Sequence, residues 1–477
     1  MINFYYLIVF AVCILIVLNA RTPNKALAYI VMVILVPVLG ILIYFLVGFD
    51  YRKKKLYQKK IQIDKQMFPE LEREAIAFSV KSIEEHKNKL GHFYGLAKTR
   101  TITHLSSADN SVELLINGEN KFNEVFKSLH AAKHHIHLEY YIYENDIVGN
   151  QLGDILIKKA KEGVKVRFIY DDFGSNTIRK KFIKKLKSSG IEVQAFYKIY
   201  FIAFANRLNY RNHRKIIVID GRVGYVGGIN VSNTYVNSPT NNTKLYWRDT
   251  HSKITGLSVH NLQFIFLTDW NFCAGQHLAF SEELFPPKTT EEHKRDCLVQ
   301  VIASGPDSDY PDILFSYIQA VLLSKEEILL TTPYFIPDKA FLDALKIASL
   351  SGVTIKLLVP EKSDSAIVGA VSKSYYSELL QAGIQIFEYQ RGFIHAKTAV
   401  FDKQVCSIGT ANLDNRSFDL NFEVNALIYD SGVAQELSDS FSNDLLFANQ
   451  INLKTWQRRT LLKQLTEKTA RLIAPLL

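Results

Sequence analysis

Five positions of this chain recur in one register, and this repeat constrains the fold more than anything else in the sequence. The first copy, N-H-R-K-I-I-V-I-D-G-R-V-G-Y-V-G-G-I-N, carries His213, Lys215, Asp220, Gly227 and Asn230. The second, I-H-A-K-T-A-V-F-D-K-Q-V-C-S-I-G-T-A-N, carries His395, Lys397, Asp402, Gly409 and Asn412. Each second-copy residue lies 182 positions after its counterpart, as 395 does after 213. Five coincident spacings imply one unit used twice, so two similar halves are expected.

The order of residues sets what each copy can do. His213 and Lys215 are two apart on an extended run, so they point to one face. Ile216 to Ile219 is an unbroken apolar run of the buried-strand kind. Asp220-Gly221 then reads as a hairpin turn. That makes Asp220 a turn former at the far end of the strand, with a direct catalytic role as the alternative. Gly227, Gly228 and Gly409 allow close approach of another group to the backbone. Asn230 and Asn412 are candidate donors to an oxyanion.

A single His-x-Lys is an ordinary strand mouth. Two copies point to a composite site, with two imidazoles and two ammonium groups facing across a pseudo-twofold axis. One imidazole can attack phosphorus, the other can protonate the leaving oxygen, and the lysines can stabilise phosphoryl charge. The candidate catalytic set is therefore His213, Lys215, Asp220, His395, Lys397 and Asp402. No metal and no cofactor is expected. Cys13, Cys273, Cys297 and Cys406 lack ligand spacing, and no phosphate-binding G-x-x-x-x-G-K-[ST] loop occurs. His137 and Glu139 are placed at the cleft as further lining groups.

The repeated H-x-K-x4-D-x6-G-(G/T)-x-N resembles the duplicated signature of the phospholipase D superfamily. Y-W-R-D-T-H (Tyr246 to His251), L-D-N-R-S-F (Leu413 to Phe418) and N-F-E-V-N (Asn421 to Asn425), with the apolar N-terminus, narrow the resemblance to bacterial cardiolipin synthases. The resemblance implies an α/β chain of two similar phospholipase D-like domains, each a mixed sheet flanked by helices, in pseudo-twofold arrangement behind a transmembrane helical hairpin. It implies phosphatidyl transfer between two phosphatidylglycerol molecules through a phosphatidyl-histidine, with glycerol released. We assign His213 as nucleophile and His395 as acid, then base. In relatives an acidic residue of each half bonds that half's own histidine, and the resemblance gives these roles to Asp249 and Glu423. The rivals are a phospholipase D or nuclease using water, a transferase with another acceptor alcohol, and a non-catalytic membrane scaffold. All four His and Lys residues are present, which argues against the scaffold.

The net charge of +10 over 477 residues suits an anionic partner, either nucleic acid or an acidic membrane. Residues 4–19 and 26–48 are apolar and uncharged, and read as two membrane spans rather than a signal peptide. The spans favour anionic membrane lipid over nucleic acid as partner, and the resemblance implies phosphatidylglycerol as substrate. Arg52, Lys53, Lys54 and Lys55 follow the second span, so both termini and the chemistry are expected in the cytoplasm, and the resemblance implies the plasma membrane of a bacterium. Arg21 and Lys25 oppose that orientation. The expected organisation is 1–50 spans, 51–98 basic helical linker, 99–285 first domain and 286–477 second domain with a C-terminal helix. Strands and helices alternate in both halves, as an α/β fold requires. Two segments have alternative readings. Residues 234–243 form either a loop over the site entrance or an idle surface loop. Leu453 to Leu477 either packs on the second domain or touches lipid. No segment specifies an oligomeric state.

Overall fold

The computed structural model describes residues 2–19, 23–45, 60, 69–98, 104–178, 180–196, 210–237, 245–278, 280–287, 296–472 and 474. The basic cluster at 52–55, residues 238–243 of the expected entrance loop and 288–295 between the halves lie outside these.

The motif strands form as the residue order dictates. Lys215–Ile219 pairs antiparallel with Val223–Gly227, and Asp220 (φ 52°) and Gly221 (φ 62°) make the left-handed turn between them. Its β-branched run is buried on both faces. Ile216 and Val218 enter one apolar core and Ile217 and Ile219 another. Truncating one such residue to alanine costs about 2–5 kcal/mol. The second copy pairs Thr398–Phe401 with Val405–Gly409 in the same way.

Fifteen strands of the described residues make one mixed sheet. From its centre the first half contributes, in order, His104–Ile116, Thr250–Gly256, Val223–Gly227, Lys215–Ile219, His135–Tyr140, Lys165–Tyr170 and Glu192–Ala195. From the same centre the second half contributes Cys297–Ser304, Glu423–Tyr429, Val405–Gly409, Thr398–Phe401, Glu327–Thr331, Thr354–Pro360 and Gln385–Tyr389, with Ala448–Gln450 at the edge. The two orders mirror each other about the antiparallel pair His104–Ile116 and Cys297–Ser304. His135–Tyr140, Lys165–Tyr170 and Glu192–Ala195 in the first half, and Glu327–Thr331, Thr354–Pro360 and Gln385–Tyr389 in the second, are parallel and joined by helices, and Ala448–Gln450 adds antiparallel at the edge. The helices Val259–Ala274 and Ser431–Leu445 send Val259, Leu262, Leu437 and Phe441 into one core that mixes strand residues of both halves. The halves therefore share a core, which fixes the motif strands relative to each other.

Two helical segments, at 176–189 and 366–381, are broken. The one at 176–189 is a short 3-10 turn, Asn176–Ile178, and a helix, Lys181–Ser188, after Lys180 at φ 68°. The one at 366–381 divides into Ala366–Ser374 and Tyr376–Gln381. At the N-terminus Ile2–Asn19 is one helix, and the second apolar run forms Pro23–Leu35 and Pro37–Ile43. Val36 leaves the helical region (φ −135°, ψ 71°) because the following proline ring crowds it there. Val12, Ile16, Tyr29, Val33 and Tyr44 make a small separate core between these helices. Among the described residues no helix is long and apolar enough to cross a membrane.

Candidate active site

The segment leading into each motif strand pairs with the other half. Asn212 bridges Phe422 in parallel, and the His213 amide donates to the Phe422 carbonyl at 3.0 Å. Gly392–Ile394 pairs in parallel with Tyr246–Arg248, and the His395 amide donates to the Arg248 carbonyl at 2.7 Å. The next residue after each paired segment is the acid. Glu423 thus meets His213, its carboxylate oxygens 2.9 and 3.0 Å from Nδ1. Asp249 meets His395, with Oδ2 2.8 Å from Nδ1. The expectation that each acid serves the histidine of its own half is overturned: the pairs are crossed, because the inter-half backbone pairing brings each histidine to the opposite acid.

The acids are themselves held. Glu423 accepts from the Thr410 hydroxyl at 2.5 Å and from the Asn421 amide at 3.3 Å. Asp249 accepts from the Thr250 amide at 2.7 Å. The motif glycines make room for this. A Cβ on Gly228 would fall 2.2 Å from Asp249 Oδ1, and one on Gly409 would fall 2.0 Å from Asn425 Oδ1. With Nδ1–H given to a carboxylate, the lone pair of each imidazole resides on Nε2.

Lys215 donates to the His213 carbonyl at 2.7 Å, under the Tyr141 ring. Lys397 donates to the His395 carbonyl at 2.5 Å, and its Nζ lies 2.8 and 2.9 Å from the two ring nitrogens of His395. Among the described residues no side chain bonds His213 Nε2. The surroundings differ too: Tyr141 stands edge-on to His213, whereas Tyr235 and Trp247 enclose His395.

Burial dominates the protonation of the site. It pushes His213 down to about 4, with Glu423 opposing, and His395 down to about 3, with Lys397 adding to the shift and Asp249 opposing. It also lowers Lys215 to about 7, offset in part by Glu423, and Lys397 to about 8, offset in part by Asp249. Both imidazoles are therefore neutral at rest, and both lysines stand near the point of losing their charge. Each lysine also depresses the histidine of the other half, so the four groups form one electrostatic unit.

Asp220 and Asp402 are not part of this cluster. Asp220 accepts from the backbone amides of Lys133, His134 and His135 at 2.8–2.9 Å. Asp402 accepts from those of Lys325, Glu326 and Glu327 at 2.8–2.9 Å, and from His92. At about 3.3 Å per residue, five strand residues put each aspartate some 16 Å from the lysine of its motif. Their place in the candidate catalytic set is corrected to a turn and strand-start role. The asparagines also differ. Asn230 is committed to the Tyr235 hydroxyl at 2.6 Å and the Ile142 amide at 3.2 Å, while the side-chain oxygen of Asn412 is buried without a partner among the described residues. Glu139 is buried and bonds Asn212, the residue before His213. His137 is a core residue stacked on Phe266, not a lining group.

Sequence reasoning missed Lys121. It is fully buried, with Nζ 3.2 Å from the Ile229 carbonyl and over the rings of Phe122 and Tyr140. Burial lowers its pKa well below the usual value, and Asp249 opposes that shift. Its signal was spacing: Lys121, Val125 and Leu129 are four apart, so the lysine belongs to the buried stripe of its helix. Among the described residues no three His, Cys, Asp or Glu side chains converge as a metal-ligand set.

Comparison with known proteins agrees with this architecture. The family described as cardiolipin synthase, PLD-like domain, matches residues 125–256 and again 317–445. A family described as phospholipase D-nuclease N-terminal matches 7–48. The chain is 40% identical over 483 aligned residues to the major cardiolipin synthase ClsA of Bacillus subtilis (strain 168), covering 99% of this chain and 98% of that protein. It is 40% identical to a cardiolipin synthase of Geobacillus sp. (strain WCH70), covering 96% and 90%. Among solved structures, the phosphatidylserine synthase of Haemophilus influenzae Rd KW20 superposes with a TM-score of 0.58 at 14% identity, over 77% of this chain and 95% of that one. That likeness shows the shared fold.

Proposed function

The chain belongs to the cardiolipin synthase family with phospholipase D-like domains, and from that premise we propose that it joins two phosphatidylglycerol molecules into cardiolipin. The observation that carries this reading is the pair of crossed dyads, His213–Glu423 and His395–Asp249, with one buried lysine beside each histidine. His213 Nε2 attacks the phosphorus of one phosphatidylglycerol. The bond from phosphorus to the headgroup glycerol oxygen breaks, and His395 gives that oxygen its proton, so glycerol leaves. His395, now neutral, takes a proton from a headgroup hydroxyl of a second phosphatidylglycerol. That oxygen attacks phosphorus, the phosphorus–nitrogen bond breaks, and cardiolipin forms. The Nε2 of His213, which no side chain among the described residues bonds, supports its role as nucleophile, whereas Nε2 of His395 is in contact with Lys397.

An imidazole depressed by burial needs the substrate to become an acid. The phosphodiester anion favours the charged form of groups around it, so the proton on His395 accumulates when substrate is present. Lys215, Lys397 and Asn412 hold the phosphoryl oxygens, and Glu423 and Asp249 stabilise each imidazolium as it forms. We further propose that the N-terminal helices form a membrane hairpin, with both catalytic halves on the cytoplasmic face. The match of residues 7–48 to a phospholipase D-type N-terminal family and the absence of charge from Phe4 to Asn19 support this. Purified protein with phosphatidylglycerol vesicles should yield cardiolipin and glycerol in equal amounts by mass spectrometry. Phosphatidic acid as the main product would instead identify water as the acceptor.

A further inference from the structure

The helix Leu461–Arg471 is packed with its faces reversed from what water selects. Its inward side is polar apart from Ala470, which packs on the core of the second half. Glu467 is buried in a bidentate pair with Arg459 (2.6 and 2.9 Å), Gln464 bonds the Arg459 carbonyl, and Arg471 meets Glu378 at 2.6 Å over the Tyr375 ring. Its outward side is apolar. Leu461, Leu462, Leu465 and, one residue beyond the helix, Leu472 are 83%, 74%, 63% and 74% exposed. At 100° per residue these four fall within roughly one third of the helix circumference. A helix facing water turns its leucines inward.

The charge and position of this helix identify the medium. Residues 453–472 carry six basic side chains and a single acid, Glu467, which is already paired. Lys468 is exposed at the edge of the leucine face, and Lys463 is exposed elsewhere on the helix. The helix packs on Ala366–Ser374, which carries the half-exposed Ile367. Just before that helix, the Asp364 carboxylate accepts from the Tyr334 hydroxyl at 2.6 Å, and its charge is among those that partly oppose the lowering of Lys397 by burial. On its other side Ala474 accepts from Asn415, three residues after Asn412. The helix thus packs on elements that adjoin the site of the second half. A second copy of a strongly basic surface would repel this one, whereas an anionic bilayer matches both its leucines and its lysines.

We propose that Leu461–Arg471 is an interfacial helix that lies in the headgroup–acyl boundary of an anionic bilayer and sets the cleft mouth of the second half against it. The inference rests on the proposed function only in taking the substrate to be a bilayer lipid.

The test uses the full chain with Cys13→Ser and Cys273→Ser, since these are the partly exposed cysteines, and an environment-sensitive fluorophore on Leu465→Cys. The protein is reconstituted into vesicles of phosphatidylglycerol and phosphatidylcholine, with and without bromine on the acyl chains. The expected result is blue-shifted emission that brominated lipid quenches and aqueous iodide does not. Emission that iodide quenches would overturn the proposal. So would a blue shift insensitive to bromine, which would mean that protein, either a second copy or another segment of the chain, covers the face. A second readout is Leu461→Asn with Leu465→Asn, expected to raise KM on vesicles while kcat on dispersed short-chain phosphatidylglycerol is unchanged; an unchanged vesicle KM would overturn it. The fluorescence needs no turnover, so an inactive protein whose label is still quenched by bromine would sink the proposed function and leave the interfacial helix standing.

Discussion

Glu423 of the second half holds Nδ1 of His213 in the first, at 2.9 and 3.0 Å. The two residues are 210 positions apart, and the sheet brings them together through one parallel bridge between Asn212 and Phe422. With Asp249 on His395, neither half holds a complete dyad. Glu423→Gln should therefore lower turnover by about two to four orders of magnitude by leaving His213 without its anion, although Glu423 belongs to the other repeat. Asp249→Asn should do the same through His395. Steady-state rates on phosphatidylglycerol vesicles check this; a loss smaller than about tenfold in both variants would show that the carboxylates only pack the site.

The lysines set a pH window. Lys215 is lowered from 10.5 to about 7 and Lys397 from 10.5 to about 8, so the free enzyme loses the ammonium groups as pH rises through that range. kcat/KM should fall across it. The stability sign runs the other way. Between the folded and unfolded values the unfolded chain binds more protons, so stability increases with pH from about 7 towards 10.5. Lys215→Met should abolish turnover yet raise Tm by about 2–4 °C at pH 6, with a smaller gain at pH 10. A Tm gain independent of pH would mean that packing, not the buried charge, is the cost.

Asp220 should prove a folding residue. Its carboxylate accepts three backbone amides at 2.8–2.9 Å. Asp220→Ala leaves them unpaired and should cost about 1–3 kcal/mol of stability. The kcat of the folded fraction should stay within about threefold of the parent, given the distance from the site. Thermal denaturation beside rates normalised to folded protein would decide it, and a large kcat loss at unchanged Tm would return Asp220 to the catalytic set.

Chelator should leave activity in place. The positive charge of the site is carried by Lys215 and Lys397, and no ligand triad occurs among the described residues. Turnover abolished by EDTA and restored by one particular divalent ion would contradict this, as measured in vesicles whose surface charge is held constant.

The local parts of the site were legible and the long-range parts were not. Period-two order put His213 and Lys215 on one face, and Asp-Gly marked the turn that Asp220 and Gly221 make. Both follow from interactions within a few residues. The crossed acids were misread because spacing along the chain says nothing about which strand mouth pairs with which half; that depends on the pairing of Asn212 with Phe422 and of Ile394 with Arg248. Lys121 was passed over because a lysine near a helix start ordinarily faces water, yet its spacing to Val125 and Leu129 placed it inside. The second apolar run, 26–48, reads as one span with Pro37 inside it; the proline removes a helical bond and Val36 turns the chain there.

The central claim is that one site is assembled from both repeats and passes through a phosphatidyl-histidine. It is tested most directly by mass spectrometry of His213→Ala and His395→Ala after exposure to a phosphatidyl substrate whose leaving group needs no proton. Both variants should fail to make cardiolipin from phosphatidylglycerol. His395→Ala should accumulate a phosphatidyl adduct on His213, and His213→Ala should accumulate none. Near-normal turnover on phosphatidylglycerol by either variant, or no adduct in either, would contradict the account; an adduct in His213→Ala alone would keep the mechanism and reverse the two roles.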